Sequence, residues 1–401
     1  MKIQNVLKKI FFSKFLKMDE NKGRMLVSPG KLIGKRYRVV KELGDGAFSN
    51  VYKCIDLLKN FPVVIKCFRS MQDYSTCALS EAAVMSALNN VDKENKHFIK
   101  YYGRFDYHGH VCIVVQEFGI SLFDALKARK FIPYSTATIR AIMYKLVEGL
   151  QILHKTGLIH TDIKLENILL PPNFDLNLAD ENNANNTNIG HQSDPSSDDF
   201  ISKRYSNSNI STGISIDLSN MSNKNHFIES ADQKLDLNQI DVRLIDFSSL
   251  QSSGTWHDNL ATTRRYRAPE IMMGLKWGSE CDIWSLGCIL VELATGDIIF
   301  DAKDDCLHLF LIQHTIEPFP DWMCKECTIN TIREKFCWSS PINLMKPNKE
   351  WSEEMKKPTL YEILKFDPDL ADLALKMLRT NPFDRISIND VLNHPFFTDI
   401  K

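Results

Sequence analysis

Residues 160–167 read HTDIKLEN, and the spacing of the polar side chains in this run decides the fold. Asp162 places a carboxylate where it can accept or orient the proton of a substrate hydroxyl, and Lys164 can stabilise a phosphoryl group during its transfer. Asn167 offers an amide oxygen that can coordinate Mg²⁺. His160 is expected to be a packed structural residue rather than an acid or a base. The run predicts a catalytic loop for phosphoryl transfer.

A second acidic motif lies further along the chain, where residues 243–248 read RLIDFS. We expect a short apolar strand to deliver Asp246 to a metal ion, and Phe247 to pack against a helix of the smaller lobe. Phosphoryl transfer is mostly positioning and charge neutralisation, and it requires a carboxylate, an amide, a lysine and Mg²⁺. Asp246 and Asn167 are therefore the predicted metal ligands.

A glycine-rich turn lies near the start of the chain, where residues 44–51 read GDGAFSNV between two predicted strands. Gly44 and Gly46 allow backbone N–H groups to approach phosphate oxygens, and Phe48 at the tip can shield the site. Val51 begins the following strand and is expected to contact the nucleotide. Taken alone this turn is weakly diagnostic, since any glycine-rich hairpin could produce it.

Residues 63–66 read VVIK, a strand pattern that predicts an inward-pointing Lys66. Its ammonium would neutralise charge on the α- and β-phosphates of ATP. A buried lysine is costly unless it is paired, and Glu81, in the helix predicted at residues 80–88, is the expected partner. Ile65 is expected to line the nucleotide site beside Lys66. The alternative, a surface lysine at the end of a strand, fits the neighbouring motifs poorly.

The next predicted strand covers residues 111–115 and leads into a connection between two lobes at residues 116–119. The strand reading places Val115 at the back of the adenine pocket. Gln116 and Phe118, in the connection, are expected to bind the nucleotide as well.

Two further motifs are expected to support the fold rather than the chemistry. Residues 263–270 read TRRYRAPE, the end of an activation segment, and the buried Glu270 needs a cationic partner, for which Arg385 is the candidate. Asp282 opens a central helix and is expected to tether the catalytic loop.

The coarse pattern predicts an α+β fold with two lobes, a small β-rich N-lobe and a larger helical C-lobe. Strands alternate with glycine turns from Tyr37 onward, and apolar residues recur at helical spacing over residues 136–154. We assign residues 1–36 to an N-terminal extension and residues 37–397 to the catalytic domain. Residues 173–239 form an Asn/Ser-rich insertion within it that is too polar to bury a core and is expected to be disordered.

The composition bounds the remaining possibilities. The chain has 401 residues, 44% of them hydrophobic and 25% charged, with a net charge of −1, which gives no reason to expect a nucleic acid partner. No apolar run approaches the length of a membrane span. Residues 1–18 have the pattern of a basic amphipathic helix, which would dock on a membrane, on a partner or on its own domain.

The ten cysteines are scattered, a pattern of reduced thiols in the cytosol or nucleus. Cys324 and Cys327 form a CxxC without two further ligands at zinc spacing, so we read them as incidental surface cysteines.

These motifs in this order resemble the protein kinase fold, within it the CMGC group, and most closely the LAMMER (CLK-type) kinases. The resemblance rests on HTD at residues 160–162, on residues 263–270, on Gly119 and Ser121, and on LYEI at residues 360–363. It implies a Mg·ATP-dependent serine/threonine kinase, with phosphorylation of tyrosine as well left open, and with Lys66, Glu81, Asp162, Lys164 and Asn167 as catalytic residues. It also implies a monomer in the nucleus and/or cytoplasm that phosphorylates Arg/Ser-rich splicing factors.

The sequence departs from the family pattern at several positions. The namesake LAMMER run is replaced by LHLFLIQHTIEPFP at residues 307–320, and Leu165 replaces the usual proline. Ser248 replaces the glycine of the DFG motif, which should disfavour a flipped, inactive loop. Thr161 replaces the arginine that pairs with a phosphorylated activation loop in most such kinases, so we expect activity without that phosphorylation. The alternatives are another CMGC kinase of DYRK or SR-protein-kinase type, a nucleotide-binding pseudokinase scaffold and a small-molecule kinase.

Overall fold

The computed structural model describes residues 23–46, 48–172, 174, 240–338, 343–344, 351 and 354–400. The amphipathic helix predicted at residues 1–18 and nearly all of the insertion predicted at residues 173–239 lie outside these ranges. Both stay predictions.

Within the described residues, the small lobe contains six strands and one long helix. The strands are β1 (Leu32–Ile33), β2 (Tyr37–Asp45), β3 (Ser49–Asp56), β4 (Phe61–Phe68), β5 (Tyr101–Tyr107) and β6 (His110–Gln116), and the helix α1 spans Gln72–Val91. They form one antiparallel sheet in the order β1-β2-β3-β4-β6-β5. Burial alternates along the second half of β3, where Tyr52 and Cys54 are buried and Val51, Lys53 and Ile55 are partly exposed. This period of two is that of a pleated strand with one face on a core.

Two elements of this lobe differ from the sequence expectation. Helix α1 is much longer than the helix predicted at residues 80–88, and β5 was not predicted. Strand β5 lies at the edge of the sheet and carries Gly103 and charged residues, which weaken its strand pattern. The Asn89 side chain on α1 fixes the first residue of β5, because it donates to the Tyr101 carbonyl at 2.7 Å and accepts from the Tyr101 N–H at 3.2 Å.

Residues 23–36, which the sequence assigned to the extension, pack on this sheet. Strand β1 pairs with β2, and Ile33 is fully buried. The Tyr52 hydroxyl donates to the carbonyl of Met25 at 2.6 Å. The folded lobe therefore begins before Tyr37.

The large lobe is mainly helical. Its helices are α2 (Leu122–Ala128), α3 (Thr136–Lys155), α4 (Pro269–Met272), α5 (Glu280–Thr295), α6 (Asp305–Thr315), α7 (Asp321–Glu326), α8 (Asn330–Arg333), α9 (Leu360–Leu364), α10 (Pro368–Met377) and α11 (Ile388–Val391). Short 3₁₀ turns lie at Leu165–Asn167, Arg264–Tyr266, Glu354–Lys356, Pro382–Asp384 and Pro395–Ile400. Three two-stranded ladders join β7 (Leu158–Ile159) to β10 (Gln251–Ser252), β8 (Ile168–Leu169) to β9 (Arg243–Leu244), and β11 (Phe336–Cys337) to β12 (Asn343–Leu344).

Helices α3 and α5 form the centre of this lobe. Helix α3 begins where the Ser135 side chain accepts from the Thr138 N–H, and it covers the residues 136–154 whose spacing predicts a helix. Helix α5 is buried over almost its whole length and ends at Gly296, whose φ of 73° is left-handed. A Cβ at Gly296 would lie 1.9 Å from the carbonyl oxygen of Phe131, so this cap admits only glycine.

The predicted insertion is bounded by an antiparallel ladder. Leu169 pairs with Arg243 and Ile168 pairs with Leu244, so the chain leaves and re-enters the lobe at the same end of this ladder. Because closure entropy grows slowly with loop length, a long insertion at this position costs the fold little.

The two supporting contacts predicted for the large lobe are confirmed. Arg385 donates to both oxygens of Glu270 at 2.6 Å, with both side chains buried. Asp282 accepts from the backbone N–H groups of His160 and Thr161 at 2.8 and 2.9 Å. The catalytic loop is thereby fixed to the start of α5.

The expectation of surface cysteines at Cys324 and Cys327 is wrong. Both are fully buried: Cys324 lies with Met323 on the buried side of α7, and Cys327 directly follows the end of that helix. Burial raises the pKa of both thiols, that of Cys324 to about 11. None of the helices in the described ranges combines the length and apolar composition that a membrane crossing requires.

Candidate active site

One face of the small-lobe sheet carries Lys66 and points toward the large lobe. Lys66 on β4 pairs directly with Val51 on β3 and with Ile113 on β6. Directly paired residues share a face, and so do residues two apart on a strand. Val64 and Val115, themselves a direct pair, therefore lie on the face that carries Lys66.

The expectation that Ile65 lines the nucleotide site is corrected by this register. Ile65 points to the opposite face, where it is fully buried in a second core with Tyr52 and Cys54. The neighbour of Lys66 on β4 that shares its face is Val64, which was not predicted to contact the nucleotide. The strand period of two, counted back from Lys66, is the signal that would have identified it.

Lys66 joins the two lobes through a pair of carboxylates. Its ammonium donates to the Glu81 oxygens at 2.9 and 3.0 Å and to Asp246 Oδ1 at 2.8 Å. Burial lowers the pKa of Lys66, but Asp246 and Glu81 outweigh it and hold that pKa above its ordinary value. The lysine is therefore charged at neutral pH, as neutralisation of phosphate charge requires.

Asp246 is held in an uncommon conformation. Its φ is 62°, which a non-glycine residue adopts at a cost of about 1–3 kcal/mol and which is found mainly at functional sites. The Ser248 hydroxyl donates to Oδ1 at 2.7 Å, the same oxygen that accepts from Lys66. Burial raises the pKa of Asp246, but Lys66 and Ser248 together lower it by more, so the net pKa lies below its ordinary value and the carboxylate stays ionised.

The residues predicted as metal ligands fit a hard divalent cation. Asp246 Oδ2 accepts no hydrogen bond within the described ranges. The Asn167 amide nitrogen donates to the Asp162 carbonyl at 2.8 Å and to Asp162 Oδ2 at 3.2 Å, which leaves the amide oxygen available. Carboxylate and amide oxygens are the ligands that Mg²⁺ prefers.

The carboxylate of Asp162 is positioned by three side chains. Lys164 donates to Oδ2 at 2.7 Å, and Asn167 donates to the same oxygen. The Thr263 hydroxyl donates to Oδ1 at 2.7 Å and accepts from Lys164 Nζ at 3.2 Å. Asp162, Lys164 and Asn167 are thus brought together, as the sequence predicts.

The expectation that residues 263–270 are purely structural is wrong for Thr263. Its hydroxyl contacts both Asp162 and Lys164, so the activation segment reaches into the catalytic loop. No local pattern marks a threonine for such a contact, because the two segments lie far apart in sequence and meet only in the fold. The other expected supports, Glu270 and Asp282, stay outside the cluster.

His160 is a packed residue, as expected. It is fully buried, Nδ1 accepts from the Asp162 N–H at 3.3 Å, and Nε2 donates to the Ile245 carbonyl at 3.2 Å. Its ring contacts the edge of Phe247 at a centroid distance of 5.7 Å. Phe247 also contacts Phe98, and its backbone N–H donates to Glu81 on α1. The contact of Phe247 with the small-lobe helix thus runs through its backbone.

The glycine-rich turn connects β2 and β3 as the sequence predicts. The Gly46 N–H donates to the Ser49 carbonyl at 2.9 Å, and the Phe48 ring contacts Tyr74 of α1 at a centroid distance of 5.9 Å. A Cβ at Gly44 would meet no atom within 4 Å. Packing within the protein therefore does not require glycine at position 44, whereas close approach of a phosphate group would.

The connection between the lobes follows β6 directly. Gln116 ends the strand opposite Val63, and the Phe118 ring lies under the Arg243 guanidinium at 4.9 Å. At Gly119 a Cβ would lie 2.1 Å from the carbonyl oxygen of Leu170. The connection crosses the end of β8 so closely that only glycine fits there.

Comparisons with known proteins agree with this geometry. Residues 37–208 and 223–397 match the protein kinase domain family. The chain is 28% identical over 397 residues to the human dual specificity protein kinase CLK4, covering 96% of this chain and 70% of CLK4. It is 32% identical over 388 residues to the dual specificity protein kinase lkh1 of Schizosaccharomyces pombe, covering 95% of this chain and 49% of lkh1.

A third relative and a solved structure extend the comparison. The serine/threonine-protein kinase AFC3 of Arabidopsis thaliana is 28% identical over 391 residues, covering 95% of this chain and 87% of AFC3. The crystal structure of the kinase domain of PF14_0431 has a TM-score of 0.73 and 24% sequence identity, and the match covers 94% of this chain and 99% of that one. That likeness shows the fold.

Proposed function

Since the chain belongs to the protein kinase domain family and is a serine/threonine kinase of the CLK type, we propose that it transfers the γ-phosphoryl group of Mg·ATP to hydroxyls in arginine-rich protein substrates, such as Arg/Ser-rich splicing factors. The observation that carries this proposal is the Lys66–Asp246 pair next to the catalytic loop, to which it is joined by the hydrogen bond from the Ile245 N–H to the Asn167 carbonyl at 3.0 Å. All the charged groups that phosphoryl transfer needs are present and paired.

Each side chain has a distinct task in the transfer. Asp162 accepts the proton of the substrate hydroxyl, and Thr263 holds its Oδ1 in place. Lys164 neutralises charge on the phosphoryl group as it moves. Mg²⁺, when bound, supplies charge neutralisation at the phosphates, and Asp246 and Asn167 would hold it. Gly44, Gly46 and Val51, with Val115, Gln116 and Phe118, would enclose the nucleotide.

The preference for arginine next to the acceptor rests on a group of carboxylates beside the catalytic loop. Glu166 is exposed, and its charge raises the pKa of both Tyr266 and Glu292. Glu292 Oε2 accepts from the Tyr266 hydroxyl at 2.7 Å, while its Oε1 is buried without a partner in the described part of the chain. The Arg265 charge lowers the pKa of Glu292 and offsets part of this negative charge, and the remainder, with that of Glu166, favours a substrate guanidinium.

A peptide assay tests the proposal directly. Radiolabelled ATP is supplied with an Arg/Ser peptide, a proline-directed peptide or a generic basic protein, at increasing Mg²⁺. We expect Mg²⁺-dependent transfer to the Arg/Ser peptide above the others. No transfer to any substrate would contradict the proposal and favour the pseudokinase alternative.

Glu166→Gln should weaken the use of arginine peptides. Loss of a charge-assisted contact is worth about 1.5 kcal/mol or more, so we expect KM for an Arg/Ser peptide to rise about tenfold with kcat little changed. The control is Glu94→Gln, an exposed carboxylate of the small lobe with 71% of its side chain accessible. Equal KM values for the two variants would remove Glu166 from substrate recognition.

The KM of the wild-type chain for the Arg/Ser peptide should depend on pH. Burial raises the pKa of Glu292 to about 7, the Tyr266 hydroxyl opposes it, and Glu166 adds to it. Because this pKa lies above the unfolded value, the stability gained from protonated Glu292 is lost as pH rises through about 7. A cationic substrate favours the ionised form, so KM for the Arg/Ser peptide should fall between about pH 6 and pH 8. Glu292→Gln should flatten that dependence.

A second candidate, a proline-directed kinase of DYRK type, is favoured by one observation. Thr262 has a φ of 65°, and its carbonyl accepts from Arg267 Nη2 at 2.8 Å. The Thr262 carbonyl is therefore already bonded. It is less available to accept from the backbone N–H of the substrate residue that follows the phosphorylated one. Proline lacks that N–H and would lose nothing. The proline-directed peptide in the same assay decides between the two candidates.

We also propose that the kinase is active without phosphorylation of its activation segment. The Thr161 hydroxyl donates to the Ser249 carbonyl at 2.7 Å, and Arg267 Nε donates to the Ala261 carbonyl at 2.9 Å. One end of the segment is thus held by a hydroxyl on a backbone carbonyl, and the other by the Arg267 guanidinium, which contacts a backbone carbonyl and lies 3.8 Å from Asp305.

Phosphatase treatment of the purified protein should therefore leave most of its activity. We expect a change of no more than about twofold, because neither of these two anchors needs a phosphate group. Activity is measured on the Arg/Ser peptide before and after treatment, with mass spectrometry to verify removal of phosphate. Full loss of activity would sink this proposal.

A further inference from the structure

Three aromatic side chains form a row on the surface of the large lobe. The Phe383 ring lies 6.1 Å from that of Trp256 and 5.7 Å from that of Trp322, measured between centroids. Trp256 is 55% exposed and Phe383 is 65% exposed. Large apolar side chains grouped at the surface are a common sign of an interaction site. We call these three residues the aromatic row.

The row is held by rigid parts of the fold. His257, which follows Trp256, exchanges backbone hydrogen bonds of 3.1 and 2.9 Å with Trp277. Gly278 leaves room for the indole, because a Cβ there would lie 3.3 Å from the Trp256 ring. Phe383 lies in the turn just before Arg385, the partner of the buried Glu270. Preorganised rings bind a partner at a lower entropic cost.

The surroundings of the row are acidic. Glu280 flanks Gly278 together with the Trp256 ring, Asp321 precedes Trp322, and Asp384 follows Phe383. The charged residues of segments 256–258, 276–280, 321–326 and 382–385 are five carboxylates, two lysines and one arginine, namely Asp258, Glu280, Asp321, Glu326, Asp384, Lys276, Lys325 and Arg385. Arg385 is buried and paired with Glu270, and Lys325 pairs with Asp321 at 3.8 Å in an exposed, weak contact. These segments therefore carry an excess of negative charge, and Glu280 shares the Gly278 site with the Trp256 ring.

We propose that the aromatic row is a docking site for an arginine-containing segment of the protein substrate, away from the phosphorylated residue. A guanidinium stacks on an aromatic face and pairs with carboxylates at the same time, which an ammonium does less well. Trp256 belongs to the activation segment seven residues before Thr263, so the chain itself limits their separation to roughly 25 Å. One extended peptide can reach both the row and Asp162.

This inference rests on the proposed function, and it is tested by binding rather than by transfer. The probe is a fluorescent peptide of alternating arginine and alanine, which cannot be phosphorylated, and its Kd for the full chain is measured by anisotropy. Trp256→Ala and Phe383→Ala should each raise Kd about fivefold or more. The two residues lie on separate elements, so a folding defect in one variant, seen by thermal unfolding, leaves the other informative.

A matched control comes from elsewhere on the same lobe. Trp338 is 50% exposed and contacts Phe336 outside the row, so Trp338→Ala should leave Kd unchanged. The measurements are repeated with Glu166→Gln as background, where loss of the row should weaken binding by the same factor. Transfer by the wild-type chain to a short Arg/Ser peptide tests the proposed function independently.

The possible outcomes are distinct. Weakening confined to the two row variants supports docking of arginine. An unchanged Kd in both variants overturns it, and so does equal weakening by Trp338→Ala. Tighter binding of a proline-rich peptide without arginine, or concentration-dependent self-association that the row variants abolish, would assign the row to another occupant.

Discussion

Asp162→Asn is expected to abolish phosphoryl transfer while nucleotide binding persists. The rate should fall by a factor of about 10²–10⁴, the range found when a positioned proton acceptor is lost. The hydrogen bonds around the group can survive the change. Asp162 Oδ2 accepts from Lys164 at 2.7 Å and from Asn167 at 3.2 Å, and an amide oxygen there can accept both bonds while the amide nitrogen donates to the Thr263 hydroxyl. The variant therefore removes the proton acceptor and keeps its surroundings.

Transfer to the Arg/Ser peptide measures the loss, and binding of ATP measured separately shows that the site is otherwise intact. Lys66, Glu81 and Asp246 form their own contacts and do not touch Asp162. The matched control is Asp106→Asn on strand β5, where the side chain is 72% exposed. Transfer within a fewfold of wild type in Asp162→Asn would remove Asp162 from its role.

Contacts that depend on a local motif were predictable from the sequence. A lysine at the end of an apolar strand cannot be buried without a partner, which is why Glu81 was identified before the fold was known. The same argument linked Glu270 to Arg385 across the large lobe. In both cases an unpaired buried charge costs so much that the sequence must contain its partner.

Contacts that depend on register or on distant segments were less predictable. The prediction of Ile65 as a nucleotide contact treated its strand as a single run, whereas alternation puts Ile65 in the opposite core and Val64 beside Lys66. Thr263 joins the catalytic loop only because the activation segment folds back on it. Strand β5 was not predicted, because an edge strand that contains glycine and charged residues lacks the alternation of apolar and polar residues typical of a strand.

The aromatic row shows a third kind of limit. Trp256, Trp322 and Phe383 come from three separate segments, and each alone reads as an ordinary apolar residue. Only the fold brings the Phe383 ring within 6.1 Å of both tryptophan rings at the surface. Because an exposed aromatic costs stability without helping the core, such a group is more informative than a buried one.

Arg385→Met should destabilise the fold strongly. Its guanidinium makes two 2.6 Å bonds to Glu270, donates to the carbonyls of Arg379 at 2.8 Å and Glu280 at 3.1 Å, and lies 5.0 Å from the Trp284 ring. Removing one member of a fully buried pair leaves an uncompensated charge, at a cost of about 3–5 kcal/mol. The free energy of unfolding, measured by denaturant titration, should fall by that amount.

A variant that removes both charges separates two contributions to the free energy of unfolding, the cost of leaving Glu270 unpaired and the stabilisation by the ion pair itself. Glu270→Leu combined with Arg385→Met removes both charges, so it should recover much of the stability that Arg385→Met loses. The exposed pair of Lys96 and Glu94 serves as control, and Lys96→Met should leave the unfolding free energy nearly unchanged. If the double variant is no more stable than Arg385→Met alone, the stability comes chiefly from the backbone carbonyls that Arg385 holds, and the orphaned charge of Glu270 is not the main cause of the loss.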